Sequence, residues 1–175
     1  MRIGVISDTH GVLNPRALDL FRGVDHILHA GDIGSEDILV ALRAIAEVTA
    51  VAGNIDEFHC GDAGQTARVR LGGLEFFLTH ILDRPQWPLD PVRKELRRAP
   101  ADVVVFGHSH LPHDERLAGT WFFNPASAGP RRFDYPCAVG FFEKKAGRWR
   151  SWHVGLDARS EAVLASGKHL NQLSR

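Results

Sequence analysis

Cysteine is scarce: Cys60 and Cys137 are the two in 175 residues. They form no CxxC pair, so no disulfide framework or thiol-rich metal knuckle can be built from them. Long apolar runs are missing too. Nothing approaches the ~20 consecutive apolar residues of a membrane helix. The opening Met1-Arg2-Ile3-Gly4-Val5-Ile6-Ser7-Asp8 turns polar too soon for a signal-peptide core. Charge of one sign is also absent. Lys and Arg number 21, as do Asp and Glu, and the pI is near 7.2. That gives no electrostatic case for a nucleic-acid or membrane partner. The expected location is cytoplasmic, with free thiols.

What is present suits one domain over residues 1–175: the hydrophobic fraction is 44%, enough for a sizeable core. Basic clusters at Arg93, Lys94, Arg97 and Arg98, and at Lys144, Lys145, Arg148 and Arg150, read as solvated helix and hairpin faces. The sequence predicts a strand over 2–7 and a helix from Pro15 to about Phe21, capped by Asn14. A strand over 26–29 follows, then a helix from Ser35-Glu36 with Ile38, Leu39, Leu42 and Ile45 on its apolar face. A strand over 48–51 completes a βαβαβ pattern, the signature of a parallel sheet covered by helices.

Beyond it, 67–71 and 74–78 flank Gly72-Gly73, a two-residue hairpin signal. A helix is expected from Asp90 to about Arg98. Val103-Val104-Val105-Phe106 reads as a strand buried on both faces. Hairpins over 113–117 and 120–123, and over 137–143 and 148–153, suggest a second sheet. A short helix is expected near 160–165, and the last ten or so residues are expected to be loose. Two sheets with helices outside both give an α/β fold, a four-layer α/β/β/α sandwich.

Seven residues with metal-binding side chains fall in five short pieces: Asp8-Thr9-His10, Gly31-Asp32, Gly53-Asn54, Thr79-His80 and Gly107-His108-Ser109-His110. Each piece follows an expected strand. In open α/β sheets ligands bind beyond the carboxyl ends of the strands. Asp8 and His10, like His108 and His110, are two apart and share a face in extended chain. Two carboxylates, one amide oxygen and four imidazoles make a mixed N/O set suited to first-row divalent metals. The glycines at 31, 53 and 107 fit tight turns. His29 is placed as a hydrogen-bond donor to Asp32, while His59 and His113 are kept as substrate contacts. Cys60, close to Asn54 in sequence, reads as a plain free thiol.

The order of the pieces resembles the calcineurin-like metallophosphoesterases: Asp-x-His, Gly-Asp, Gly-Asn, a lone His, then Gly-His-x-His. Asn124-Pro125-Ala126-Ser127 and the short chain narrow the likeness to small prokaryotic phosphodiesterases of the YfcE type. The resemblance implies the four-layer sandwich and two divalent metal ions, manganese first, with Fe, Co, Ni or Zn also suited. By position it implies one ion on Asp8, His10, Asp32 and His110, and a second on Asp32, Asn54, His80 and His108. Asp32 bridges, Asn54 also meets the phosphate, and Asp32, Asn54 and His80 carry catalysis. Three departures stand out. Ile55 takes the place where larger relatives carry a histidine near the leaving group. Ile81 follows His80 where glycine is usual. Ala126 replaces the glycine of Asn-Pro-Gly-Ser, a mild change.

The reaction so implied is phosphoester hydrolysis by direct attack of a hydroxide bridging the two ions, on a small phosphodiester. Arg131 and Arg132 follow the Asn124–Ser127 loop and are candidates for bidentate phosphate contact. The alternative is a non-catalytic Vps29-like scaffold on the same fold, for which degraded ligands would be the mark; all seven are intact. A hydrolase of another bond, such as an amide, is a third reading. A homo-oligomer is compatible with the sequence.

Overall fold

Neighbouring residues of the central strands belong to different cores. The computed structural model describes residues 1–56 and 63–174. Strands β1 (Arg2–Ile6), β2 (His26–His29) and β3 (Glu47–Ala50) run parallel, joined by α1 (Pro15–Phe21) and α2 (Glu36–Arg43). Both helices start as expected. Asn14 accepts the Arg16 N–H at 2.9 Å, and Ser35 accepts the Asp37 N–H at 3.3 Å.

The rest comprises β4 (Thr66–Leu71), β5 (Leu74–Thr79), β6 (Asp83–Arg84), β7 (Trp87–Pro88), α3 (Asp90–Arg98), β8 (Val103–Val105), β9 (Pro112–Leu117), β10 (Thr120–Pro125), β11 (Ala138–Lys145), β12 (Arg148–Gly155) and α4 (Ala158–Ala165). One sheet has the order β12-β11-β1-β2-β3 and the other β4-β5-β8-β10-β9. The two late hairpins therefore do not build the second sheet together. β11 pairs antiparallel with β1, Ile3 opposite Phe142, and carries β12 to the edge of the first sheet. β10 pairs parallel with β8 and brings β9 with it. Without β11, the side of β1 away from β2 would be an open edge next to a hydrophobic core.

The two-residue period sorts side chains between layers. Ile6, Ile27 and Phe141 face α1 and α2 with Phe21, Leu39 and Leu42. Val5, Leu28 and Phe142 face the other way, between the sheets, where they meet Phe76, Leu78, Val103, Val105 and Phe123. Phe77, Val104, Phe106 and Phe122 turn outward to Val92 and Leu96 of α3. The result is the expected four-layer α/β/β/α sandwich. Three hairpin tips share one backbone form, with φ of 56° and 95° at Gly72-Gly73, 49° and 89° at Ala118-Gly119, and 49° and 77° at Ala146-Gly147. Positive φ at both positions is the turn that matches strand twist. The tail makes contacts with the body of the fold as far as Leu173. The Asn171 N–H donates to the Pro112 carbonyl, its Oδ1 accepts the Asp114 N–H at 2.8 Å, and Leu173 packs against the α3 core. No described helix is long and apolar enough to cross a membrane.

The topology puts five strand ends together. β1, β2 and β3 are parallel, as are β5, β8 and β10. Asp8 and His10 follow β1, Asp32 follows β2, Asn54 follows β3, His80 follows β5, and His108 and His110 follow β8.

Candidate metal centre

All seven residues converge in two overlapping groups. In the first, Nε2 of His110 lies 3.2 Å from Oδ1 of Asp8, and the Nε2 atoms of His10 and His110 are 3.3 Å apart. In the second, Nε2 of His80 lies 3.3 Å from Oδ1 of Asp32 and 3.2 Å from Oδ1 of Asn54, which is 3.0 Å from Nδ1 of His108. Asp32 faces both, because its other oxygen, Oδ2, lies 3.7 Å from Nε2 of His10. The donors of Asp8, His10 and His110, and those of Asp8, Asp32 and His80, each lie within 4.8 Å of one another. Ligands about 2.0–2.1 Å from one tetrahedral cation would sit roughly 3.3 Å apart, the spacing seen within each group.

The protonation pattern fits a cation. Nδ1 of His80 donates to the Ala30 carbonyl at 2.8 Å, which leaves Nε2 unprotonated in the neutral ring. That lone pair then faces two oxygens that are themselves acceptors, an arrangement needing a positive charge between them or a protonated ring. Burial alone would lower the His80 pKa; the hydrogen bond to Asp32 and the Asp8 charge outweigh it, so the pKa is raised. Burial would raise that of Asp32, but His80 and the Ile55 N–H hold it down to about 2. Burial lowers His10 and His108, keeping them in the neutral form that binds metal. Oδ1 of Asp8 is fully buried with no hydrogen-bond partner among the described residues. An orphaned carboxylate oxygen in such a place is costly unless a cation meets it.

Backbone strain marks the same residues. Asp8, His10, Asp32, His108 and His110 have φ of 55°, 49°, 51°, 67° and 58°. Non-glycine residues there are uncommon and cluster at functional sites. Two of the glycines work differently from expectation. Gly53 and Gly107 do not have left-handed backbones; they are glycines because other groups come too close. A Cβ on Gly53 would sit 2.1 Å from Oδ1 of Asp32, and one on Gly107 would sit 2.1 Å from Oγ of Ser7 and 2.8 Å from Oδ2 of Asp8.

Residues 1–147 match the calcineurin-like phosphoesterase superfamily domain. The chain belongs to that family. A protein of Methanothermobacter thermautotrophicus named a probable metallophosphoesterase is 37% identical over 148 residues, covering 79% of this chain and 84% of the relative. The fold is that of the Escherichia coli phosphoesterase YfcE, with a TM-score of 0.62 and 24% identity over 90% of this chain and all of that one. It is equally that of Vps29 from Entamoeba histolytica, solved with zinc, with a TM-score of 0.69 and 21% identity over 90% of this chain and all of that one. Membership makes the protein a hydrolase of phosphoester bonds, in a family that uses divalent metal ions.

In this phosphoesterase the neighbouring arginines separate. Arg131 is consumed by structure: it donates to the Tyr135 carbonyl at 2.8 Å, to Asp157 at 2.6 Å and to Ser160 at 3.0 Å. Among the described residues its hydrogen bonds go to these partners and to no donor of the centre. Arg132 does reach the centre, its guanidinium 3.5 Å from Nε2 of His10. The placement of His113 as a substrate contact is corrected: it has no exposed surface and lies against the Phe106 ring and Glu115. His59 and Cys60 fall outside the described residues. His29 does not donate to Asp32. Its Nδ1 accepts the Gly31 N–H at 3.2 Å, and Nε2 lies 3.1 Å from the hydroxyl of Thr9, which donates to the Ile33 carbonyl at 2.9 Å. Ile81 has no positive φ, so the loop after His80 needs no glycine there.

Asp56 is the residue the sequence reading passed over. Its buried carboxylate accepts the N–H groups of Ile33, Gly34 and Gly53 at 2.9, 2.8 and 2.8 Å. It ties the loop bearing Asp32 to the loop bearing Asn54. The available signal was an Asp two residues after Asn54, next to Ile55. The Asn124–Ser127 loop likewise positions rather than binds. Nδ2 of Asn124 donates to the Gly107 carbonyl at 2.8 Å, and Ser127 donates to the Asp8 carbonyl at 3.0 Å.

Proposed function

We propose that this phosphoesterase is a phosphodiesterase working with two divalent cations, manganese first, with Fe, Co, Ni or Zn suited to the same donors. Asp8, His10, Asp32 and His110 would hold one, and Asp32, Asn54, His80 and His108 the other. The observation that carries this reading is Asp32, whose two oxygens face separate nitrogen donors, His80 at 3.3 Å and His10 at 3.7 Å. When bound, such a pair supplies Lewis acidity, drawing the pKa of water toward neutrality and offsetting phosphoryl charge.

The chain supplies the rest. The Ala30 carbonyl holds the proton of His80 on Nδ1, away from the centre. Asn54 presents a neutral amide between two imidazoles, where it can also meet a phosphoryl oxygen. Arg132 adds a fixed positive charge at the rim. Ile55, with no titratable side chain, offers no proton to the departing oxygen, which favours esters with good leaving groups. Cys137 is a buried free thiol, in keeping with a cytoplasmic setting.

Bis(p-nitrophenyl) phosphate tests the reading. Hydrolysis by Mn²⁺-loaded protein and its loss on chelation are expected. A fully loaded protein that leaves the diester intact would favour the scaffold reading instead.

A further inference from the structure

Next in the chain to Arg132, one side chain is exposed that physical chemistry would hide. Phe133 is 82% exposed, the most exposed of the large apolar residues described. Its φ is 52°, a left-handed value that for a bulky residue is a genuine outlier. Such strain persists only where the surroundings impose it, and here they do. Before Phe133, the Gly129 N–H donates to the Asp8 carbonyl at 3.1 Å. Arg131 is locked to Tyr135, Asp157 and Ser160. After it, Asp134 pairs with Lys168 and lies 3.3 Å from His169, whose ring meets Tyr135 edge-on at 5.1 Å. The exposed ring is thus presented on a braced loop.

Its neighbour decides what it is presented to. Arg132, the adjacent residue, reaches within 3.5 Å of His10 at the centre. Ile55 and Val12, on the loops that carry Asn54 and His10, are exposed apolar residues as well. The centre therefore has the cation Arg132 at its rim and exposed apolar side chains on the loops that carry its donors. That pattern suits an anionic phosphoryl group bearing a flat hydrophobic substituent.

We propose that Phe133 is a stacking platform for a flat aromatic group esterified to the substrate phosphate, held in place while Arg132 meets the phosphoryl oxygens. The proposal rests on the phosphoesterase reading above and names its substrate class. An aromatic ring stacks on another ring with offset or edge geometry that a saturated ring cannot reproduce.

The test compares phenylphosphonate with cyclohexylphosphonate. They match in charge and closely in size, differ in aromaticity, and cannot be hydrolysed at the C–P bond. Binding to Mn²⁺-loaded protein is measured by calorimetry. The native protein should bind the phenyl ligand about tenfold more tightly, on the scale of one aromatic stack. Phe133→Ala should bring the ratio close to one, Phe133→Trp should keep it, and methylphosphonate should bind all three proteins alike. A ratio near one in the native protein, or one unchanged in Phe133→Ala, overturns the proposal. So does absence of phosphonate binding, or a Phe133→Ala protein whose one change is loss of self-association in sedimentation. If the ratio behaves as expected but no diester is hydrolysed, the platform stands and the phosphodiesterase reading falls.

Discussion

The backbone N–H of His108 donates to Oδ2 of Asp8 at 3.2 Å, across a hundred positions of chain. One carboxylate thus spans two jobs. Oδ2 ties the loop after β8 to the loop after β1, and Oδ1 is left for the centre, 3.2 Å from Nε2 of His110. Asp8→Asn can keep the first job and weaken the second. It should fold with a melting temperature close to that of the native metal-free protein, yet bind clearly less Mn²⁺. A variant with native metal content would contradict this division of labour.

Asp32 should matter to both ions. Elemental analysis of protein saturated with Mn²⁺ should give two ions per chain, falling below one in Asp32→Ala, because both sets depend on that carboxylate. Loss of a single ion with the other retained at full occupancy would show that Asp32 serves one set.

Asn54 and His10 should separate in a metal titration. His10→Ala removes one neutral donor and leaves Asp8, Asp32 and His110, so excess Mn²⁺ should restore part of the rate. Asn54→Ala should remain slowed on the order of 10²–10³-fold, the usual loss for one transition-state donor. Equal rescue of both would reduce Asn54 to a ligand alone.

The adjacent arginines should show opposite phenotypes. Arg131→Ala breaks hydrogen bonds to Tyr135, Asp157 and Ser160 and should cost about 1–3 kcal/mol of stability. Arg132→Ala should leave the melting temperature unchanged and raise KM for a phosphodiester. A stable Arg131→Ala with raised KM would reverse the two assignments.

Acid should destabilise the metal-free protein before it reaches the carboxylates. Burial holds the pKa of His29 down to about 4 from its usual 6.5. Between those values the unfolded chain binds the proton and the folded one does not. This contribution is therefore complete above pH 6.5 and disappears as pH falls to about 4. It is worth on the order of 3 kcal/mol. Asp32, held down to about 2, acts in the same direction at lower pH, while the raised His80 opposes it. Urea melts at pH 7, 5.5 and 4 should show the fall, and His29→Gln should make it shallower.

Much of this was legible in the sequence because ligands and strands share a grammar. Five runs of apolar residues each ended in a metal-binding side chain, and the parallel topology brought those ends together. The partition of the late hairpins was not legible, since pairing with β1 or with β8 depends on long-range register. Nor was the role of Gly53 and Gly107, whose constraint comes from Asp32, Ser7 and Asp8 rather than from local conformation. Arg131 and Arg132 are indistinguishable as sequence; Asp157 and Ser160, more than twenty residues away, choose between them. Ala126 shows how competing terms hide a substitution. Its φ is 71° and it is fully buried. Glycine there would relieve about 1–2 kcal/mol of strain, but would lose a buried methyl worth about 0.8 kcal/mol and free the unfolded chain by about 0.4–1 kcal/mol. The sum is near zero, so these terms predict a mild exchange.

The seven donors are drawn from both sheets: Asp8, His10, Asp32 and Asn54 from one, His80, His108 and His110 from the other. What separates the two groups is the aromatic filling between the sheets, Phe76, Phe123 and Phe142, with ring centroids 5.4 Å apart for Phe76 and Phe142 and 4.8 Å for Phe123 and Phe142. That filling acts as a shim. Its thickness should bear on how far apart the two groups of donors stand, so Phe142→Leu should shift metal affinity along with stability.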